Sequence, residues 1–185
     1  MNLTYPIKNM DKLQEIEKYL KNKSERDYIL FEVGIHLGIK AEDFTQQTVG
    51  FYRQACLEGF VRIKPSLTSK YKEDTLVPIP EDLKFAILAY IKGKDDNEWM
   101  FPSQKGGAPI TRQHIHRILN DVALHVGIEN SLSINTLRKT FGYWYYQYNE
   151  DIKPLMQIFN HNKEAITLSY IGIIQDTNNM RHITA

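Results

Sequence analysis

Two short segments rich in β-branched residues interrupt a chain whose apolar residues otherwise recur at helical spacing. The segments are Gly59–Lys64 and Thr75–Ile79, and a polar stretch from Pro65 to Asp74 separates them. Two such segments joined by a polar turn are typical of an antiparallel hairpin, which can form only a small sheet. Most of the core must therefore come from helices. We predict a mainly α structure with a small antiparallel β-sheet, an α+β fold.

Apolar periodicity and capping residues predict helices over most of the remaining chain. Asp11 is a plausible N-cap of the first helix, and Ser133 of the sixth. The predicted helices cover 9–22, 24–37, a short stretch from residue 41, 81–92, 111–126, 133–149 and 152–159. The apolar residues of the fifth helix, which we expect to face mostly inward, are Ile115, Ile118, Leu119, Val122 and Leu124.

The composition is that of one folded domain. With 185 residues, 42% of them hydrophobic and 24% charged, the chain has enough apolar surface for a core. Cys56 is the single cysteine, so no internal disulfide can form, which fits a reducing cytoplasm. We recognise neither a signal peptide nor an apolar run of membrane-spanning length in the sequence. We therefore expect a cytoplasmic protein without membrane association.

The last third of the chain contains three residue types that together can cleave a phosphodiester without a metal. Arg138, within Asn135-Thr-Leu-Arg138, offers a planar fork of donors that can hold two phosphate oxygens. His161 can donate to a phosphate oxygen or handle a proton near neutral pH. Tyr170 is a potential nucleophile, but a phenol with a pKa near 10 needs neighbours that stabilise its charge. Taken singly, each could equally be a packed or surface residue.

This spacing resembles the catalytic domain of the tyrosine recombinases (phage integrases). His161 to Tyr170, with Thr167 between them, is similar to the family's Gly-His…Thr-x-x-Tyr segment. The segments similar to its earlier motifs are Arg26-Asp27, Gly38-Ile-Lys40-Ala-Glu-Asp43 and Phe101-Pro102-Ser103. The resemblance implies helices around a three-stranded sheet, with a catalytic tyrosine near the C-terminus. It implies that 1–185 is a single catalytic domain without the family's N-terminal helical domain.

By the same resemblance, the reaction is attack of Tyr170 on a DNA phosphate. It gives a 3′-phosphotyrosine and a free 5′-hydroxyl, and strand exchange or rejoining follows without a cofactor. The family places a lysine in the hairpin turn, where it enters the minor groove and protonates the leaving 5′-oxygen. Lys70 fits that position, with Lys64 and Lys72 as alternatives.

Three positions depart from the family pattern. Lys40 stands where the family has its first arginine, which keeps the charge but loses the bidentate fork. Asn135 occupies a position that is usually His or Lys, and it can neither carry charge nor transfer a proton. Asn160 replaces the glycine before His161. The first two changes weaken the expectation of full activity, because one transition-state donor contributes about 100- to 1,000-fold in rate.

Two functions of different classes are consistent with these residues. One is a short phage- or mobile-element-type integrase that cuts and rejoins double-stranded DNA. The other is a catalytically impaired regulator that keeps the fold and its DNA-binding surface. A third, weaker alternative is pairing with itself or another recombinase through Ile171–Ala185. The net charge of +1 is low for a DNA-binding domain, so binding requires basic residues concentrated on one face.

No metal site is expected. His114 and His116 lie two residues apart on a predicted helix, so their rings point in different directions. Neither has a cysteine or acidic residue at ligand spacing.

Overall fold

A computed structural model describes residues 4–65 and 69–174, which form nine helices and one two-stranded sheet. In chain order the elements are α1 (Met10–Lys23), α2 (Glu25–Leu37), α3 (Ala41–Gln46), α4 (Val49–Glu58), β1 (Phe60–Ile63), β2 (Thr75–Pro78), α5 (Glu81–Tyr90), α6 (Arg112–His125), α7 (Ile134–Asn149), α8 (Lys153–Phe159) and α9 (Glu164–Tyr170). The predicted mainly α fold with a small antiparallel sheet is confirmed.

The sheet consists of β1 and β2, which pair antiparallel with Phe60 opposite Pro78 and Ile63 opposite Thr75. The three-stranded sheet that the resemblance implied is not formed by the described residues, where the sheet has two strands. Trp99, in the apolar piece after α5, makes only an isolated bridge to Thr48. The described part of the hairpin loop leaves the sheet toward α8 and α9.

Helix α2 is the centre of the core. Its residues from Ile29 to Ile35 are all buried, which requires neighbours on every side. Those neighbours are α1, α5 and α7. Gly34 of α2 packs directly against Leu137 of α7, so the two helices approach closely at this point. This approach sets the position of the next residue of α7, Arg138.

Local signals explain where several helices begin and end. Ser24 accepts a hydrogen bond from the Asp27 amide and starts α2, and Gly38 ends it in the left-handed conformation at φ 56°. Ser133 and Thr136 form a reciprocal capping box at the start of α7. The N-cap of α1 is Asn9 rather than Asp11, because the Asn9 side chain accepts from the Lys12 amide.

Several details differ from the sequence-based expectation. Helices α4 and α9 form where the sequence patterns predict no helix. Leu124 is expected to face inward but is 83% exposed. The buried face of α6 consists of Ile115, Leu119, Val122 and Ala123. Cys56 is buried and carries no disulfide, as expected for a small apolar residue. Within the described residues, every helix is too short or too polar to span a lipid bilayer.

Candidate active site

Arg138 lies on α7 with 7% of its surface exposed. Its guanidinium donates to the backbone carbonyl of Gly38, at the end of α2, and to that of Ile158 at 2.9 Å. The guanidinium also lies over the Phe159 ring, 4.7 Å from the centroid. Arg138 therefore joins the ends of α2 and α8.

The positive charge of Arg138 is not neutralised by a salt bridge. Among the described residues, no carboxylate oxygen lies within 4.0 Å of the guanidinium. Burial lowers the pKa of Arg138, and the nearby Tyr170 hydroxyl and Asp43 oppose that shift. An arginine remains protonated at any physiological pH, so this part of the molecule holds a buried cation without a salt-bridge partner among the described residues. Such a site favours binding of an anion.

Tyr170 is the last residue of α9 and is partly buried beside Arg138. Its ring lies 5.0 Å from the Phe159 ring and 5.3 Å from the His161 imidazole. Burial raises the pKa of the Tyr170 phenol, and the positive charge of the nearby Arg138 acts in the opposite direction. The phenol is therefore protonated at neutral pH in the absence of a ligand.

His161 follows Asn160, the C-cap of α8, and is fixed by the helix that carries Tyr170. Its Nδ1 lies 3.0 Å from the hydroxyl of Thr167, which is fully buried in α9. Burial lowers the pKa of the imidazole, and the positive charge of Arg138 lowers it further. His161 is therefore neutral at pH 7, and a neutral imidazole can accept a proton.

Lys70 reaches the same region from the hairpin loop. Its Nζ donates to the carbonyl of Asn162 at 3.3 Å, one residue after His161. The Tyr71 hydroxyl donates to the carbonyl of His161 itself at 3.1 Å. Lys72 instead donates to the carbonyl of Ser69 within its own loop, and Lys64 is exposed at the end of β1. Of the three hairpin lysines, Lys70 has the contact with the turn that carries His161.

Lys40 and Asn135 border this cluster without bonding to it. Lys40 is the N-cap residue of α3, two positions after the Gly38 carbonyl that Arg138 binds. It lines a narrow cleft together with Ser69 and Asn160. Asn135 is exposed in the first turn of α7, one helical turn before Arg138. Neither side chain forms a hydrogen bond or salt bridge with another described residue.

Phe159 and Lys139 also belong to the cluster, although the sequence motifs did not indicate them. The Phe159 ring contacts Arg138, His161 and Tyr170, yet in the sequence it has the pattern of an ordinary core residue. Lys139 lies with its Nζ 5.1 Å from the centre of the Tyr170 ring and donates to the Thr4 carbonyl at 2.6 Å. For Lys139, the one available signal in the sequence was its position next to Arg138. That position does not show which way the Lys139 side chain points.

The N-terminal segment covers the back of this cluster. The Lys8 Nζ donates to the carbonyl of Gly172 at 3.0 Å, just after α9. The Ile7 amide donates to the Thr140 hydroxyl at 2.9 Å, and the Trp144 indole donates to the Ile7 carbonyl at 3.0 Å. The segment thereby fixes the end of α9, and with it Tyr170, relative to α7.

Comparison with known proteins gives a consistent result. The sequence profile of the phage integrase family matches residues 7–175. The probable integrase/recombinase YoeC of Bacillus subtilis (strain 168) is 38% identical over 180 residues, which cover 96% of this chain and 94% of that protein. Tyrosine recombinase XerD of Brucella suis biovar 1 is 25% identical over 114 residues, or 58% of this chain and 37% of XerD.

Solved structures show the same fold at low sequence identity. The XerA recombinase superposes with a TM-score of 0.73 at 18% identity, over 98% of this chain and 66% of that chain. The Tn1549 transposon integrase, solved in complex with transposon right end DNA, gives 0.66 at 13% identity, over 100% of this chain and 67% of that chain. The chain thus spans about two thirds of these structures. On the family profile and the YoeC similarity, this chain belongs to the phage integrase family of tyrosine recombinases.

Proposed function

We propose that this chain binds double-stranded DNA, cleaves one strand with Tyr170 and rejoins it through a 3′-phosphotyrosine. The observation that carries the proposal is the buried guanidinium of Arg138, which has no salt-bridge partner among the described residues and lies beside Tyr170. A phosphate entering this site would supply the missing negative charge and place phosphorus next to the phenol. DNA-bound relatives, such as the Tn1549 transposon integrase, support duplex DNA as the ligand.

The cluster supplies a role for each step of the reaction. The Tyr170 oxygen attacks phosphorus, and neutral His161 accepts the phenol proton. Arg138 and Lys40 stabilise the charge on the non-bridging oxygens. As the bond to the 5′-oxygen breaks, Lys70 donates a proton to that oxygen, and the reverse sequence rejoins the strand. Asn135 can contribute one neutral hydrogen bond to the phosphate.

A regulator that binds DNA without cutting it is the second candidate. Two N–H groups of Arg138 already donate to the carbonyls of Gly38 and Ile158, which leaves fewer donors for a phosphate. Lys40 and Asn135 depart from the family pattern in the same centre, and the sequence predicts that both changes weaken it. Together these features favour retention of DNA binding over retention of fast chemistry.

Covalent capture on a randomised DNA pool tests the proposal even though the target site is unidentified. The pool consists of duplexes with random sequence and a nick that lets the released fragment diffuse away, so a phosphotyrosyl adduct accumulates. We expect an adduct that survives denaturation with the wild-type chain and none with Tyr170→Phe. Tyr148→Phe is the matched control, because Tyr148 is 73% exposed on α7 and should form adduct normally.

Lys40→Arg separates the two candidates. Restoring the bidentate fork should raise the adduct rate by about 10- to 100-fold, since a lysine recovers only part of one donor's contribution. If neither the wild type nor Lys40→Arg yields adduct but both bind the DNA pool in a salt-sensitive manner, the proposal of a non-cutting regulator is correct. If neither protein binds the DNA pool, both candidate functions are wrong.

Self-association, or pairing with another recombinase, through the C-terminal segment remains a proposal. Ile173, which belongs to that segment, packs against the core of its own chain. Residues 175–185 of that segment lie outside the described residues. Sedimentation of the chain alone and with captured DNA measures whether it pairs.

A further inference from the structure

Three consecutive residues of the hairpin loop contact three consecutive residues of the turn between α8 and α9. The Ser69 hydroxyl donates to Asn160 Oδ1 at 2.5 Å. The Tyr71 hydroxyl donates to the His161 carbonyl at 3.1 Å, and the Lys70 Nζ donates to the Asn162 carbonyl at 3.3 Å. We refer to these contacts as the loop clasp.

Ser69 is the centre of the loop clasp. It is 4% exposed, although it belongs to a polar loop. Its hydroxyl donates to Asn160 and accepts from the Tyr71 amide at 3.1 Å, so it makes one hydrogen bond as donor and one as acceptor. A buried hydroxyl with both bonds made has one preferred orientation, and losing the Asn160 partner would leave the buried donor unsatisfied.

Asn160 is suited to this contact by its backbone. It ends α8 in the left-handed conformation at φ 58°, which glycine adopts freely and which asparagine tolerates better than other residues. A glycine here would keep the turn and lose the amide that binds Ser69. The sequence departs from the family's usual glycine at this position, so the side-chain contact is a property of this chain.

We infer that Asn160 is a positioning residue whose side-chain amide, through Ser69, holds Lys70 against the turn that carries His161. This inference rests on the proposed function, in which Lys70 protonates the leaving 5′-oxygen. Lys70 is exposed, and a free lysine side chain samples many rotamers. Fixing the adjacent backbone reduces the volume that its amino group explores and raises its effective concentration at the phosphate.

Limited trypsin digestion tests the loop clasp without DNA. The rate of cleavage after Lys70 and Lys72 should rise by about 2- to 10-fold in Asn160→Gly and in Ser69→Ala, the range expected for one net hydrogen bond. Asn160→Gly keeps a backbone that the turn accepts, so the fold is retained. Asn162→Ala is the matched control, since the clasp uses only its carbonyl. Equal cleavage rates in all four proteins would overturn the inference, whether or not the chain cuts DNA.

Leaving-group chemistry tests the link to Lys70. On a captured site, Asn160→Gly should slow single-turnover cleavage of ordinary DNA by the same 2- to 10-fold. On a substrate whose scissile 5′-oxygen is replaced by sulfur, the two proteins should cleave equally, because a thiolate leaves without a proton. Slowing on both substrates would overturn positioning through Lys70. Absence of wild-type adduct would refute the proposed function instead, and the digestion would still decide the loop clasp.

Discussion

The burial of individual side chains determines which groups in the site are charged and which are neutral. Arg138 retains its charge because a guanidinium stays protonated at physiological pH, and two of its N–H groups donate to backbone carbonyls. His161 and Tyr170 are shifted toward their neutral forms by burial in the same cluster. The resulting site has one permanent buried cation surrounded by neutral proton carriers, which suits a phosphate that brings its own negative charge.

Glu32 is a buried carboxyl outside the site, and its charge has no comparable support. It is 7% exposed on α2, and its Oε1 has no hydrogen-bond partner among the described residues. Burial, with the negative charge of Glu17, raises the pKa of Glu32 to about 8. The His36 Nδ1 lies 3.6 Å from its other oxygen, but burial lowers the pKa of that imidazole.

Glu32→Gln should therefore remove part of the pH dependence of stability. The folded state holds the Glu32 proton more tightly than the unfolded state, so its contribution is full below pH 4.5 and is lost as pH rises through about 8. Between pH 7 and 8.5 the free energy of unfolding should fall by about 1 kcal/mol in the wild type. Urea unfolding should show a flatter profile for Glu32→Gln, and an equal decline in both would contradict the assignment.

At the scale of elements, small residues on packed helices position the site. Gly142 of α7 lies where an added Cβ would meet Ile171 at 2.6 Å and Phe159 at 2.8 Å. Gly34 of α2 makes the corresponding close approach to Leu137. Because α7 can lie this near both α2 and the α8–α9 unit, the Arg138 side chain spans the distance between the carbonyls of Gly38 and Ile158.

Gly34→Ala tests this close packing. In an unobstructed helix this change stabilises by about 1 kcal/mol. Here the new Cβ would lie 2.5 Å from Leu137 Cδ1 and 2.9 Å from Leu137 Cβ, so we expect destabilisation by about 1 to 3 kcal/mol. Urea unfolding measures the change. Combining it with Leu137→Ala removes the contact with Cδ1 and leaves the one with Cβ, so it relieves part of the clash, and the double variant should be more stable than the sum of the single changes predicts. A gain in stability from Gly34→Ala alone would refute the close approach.

For the whole molecule, the near balance of charge limits DNA affinity. The chain has 23 basic and 22 acidic residues, so attraction to DNA must come from a local concentration of cations. The site places Lys40, Lys70 and Arg138 around one region, and the proposed phosphate contacts are correspondingly few. DNA binding should therefore be weak and should depend on these few cations.

Fluorescence anisotropy on captured DNA across a salt series measures the number of phosphate contacts. Each contact contributes about −0.9 to the slope of log affinity against log salt concentration, so three contacts predict a slope of about −3. Lys40→Ala should reduce the magnitude of the slope by about 1. Lys18→Ala, on the exposed face of α1, should leave it unchanged. A flat response in the wild type would count against DNA as the ligand.

Local patterns in the chain were sufficient to predict the fold class, most helices, the hairpin and the order of the site residues. Those patterns are apolar periodicity, capping by Ser133, and the β-branched segments. They do not predict α9, because a seven-residue helix rich in β-branched and polar residues has little intrinsic preference. Helix α4, which begins after its N-cap Thr48, was missed as well.

How the site residues meet depends on the packing of the helices. Arg138 bonds to a carbonyl 100 positions earlier, and Ser69 bonds to Asn160 across 91 positions. A linear pattern of residues does not contain the geometry of such contacts. Burial is likewise a property of the assembled core, and it fixes the protonation of His161 and Tyr170. The sequence therefore predicts which residues carry the chemistry, and folding determines their charges, partners and positions.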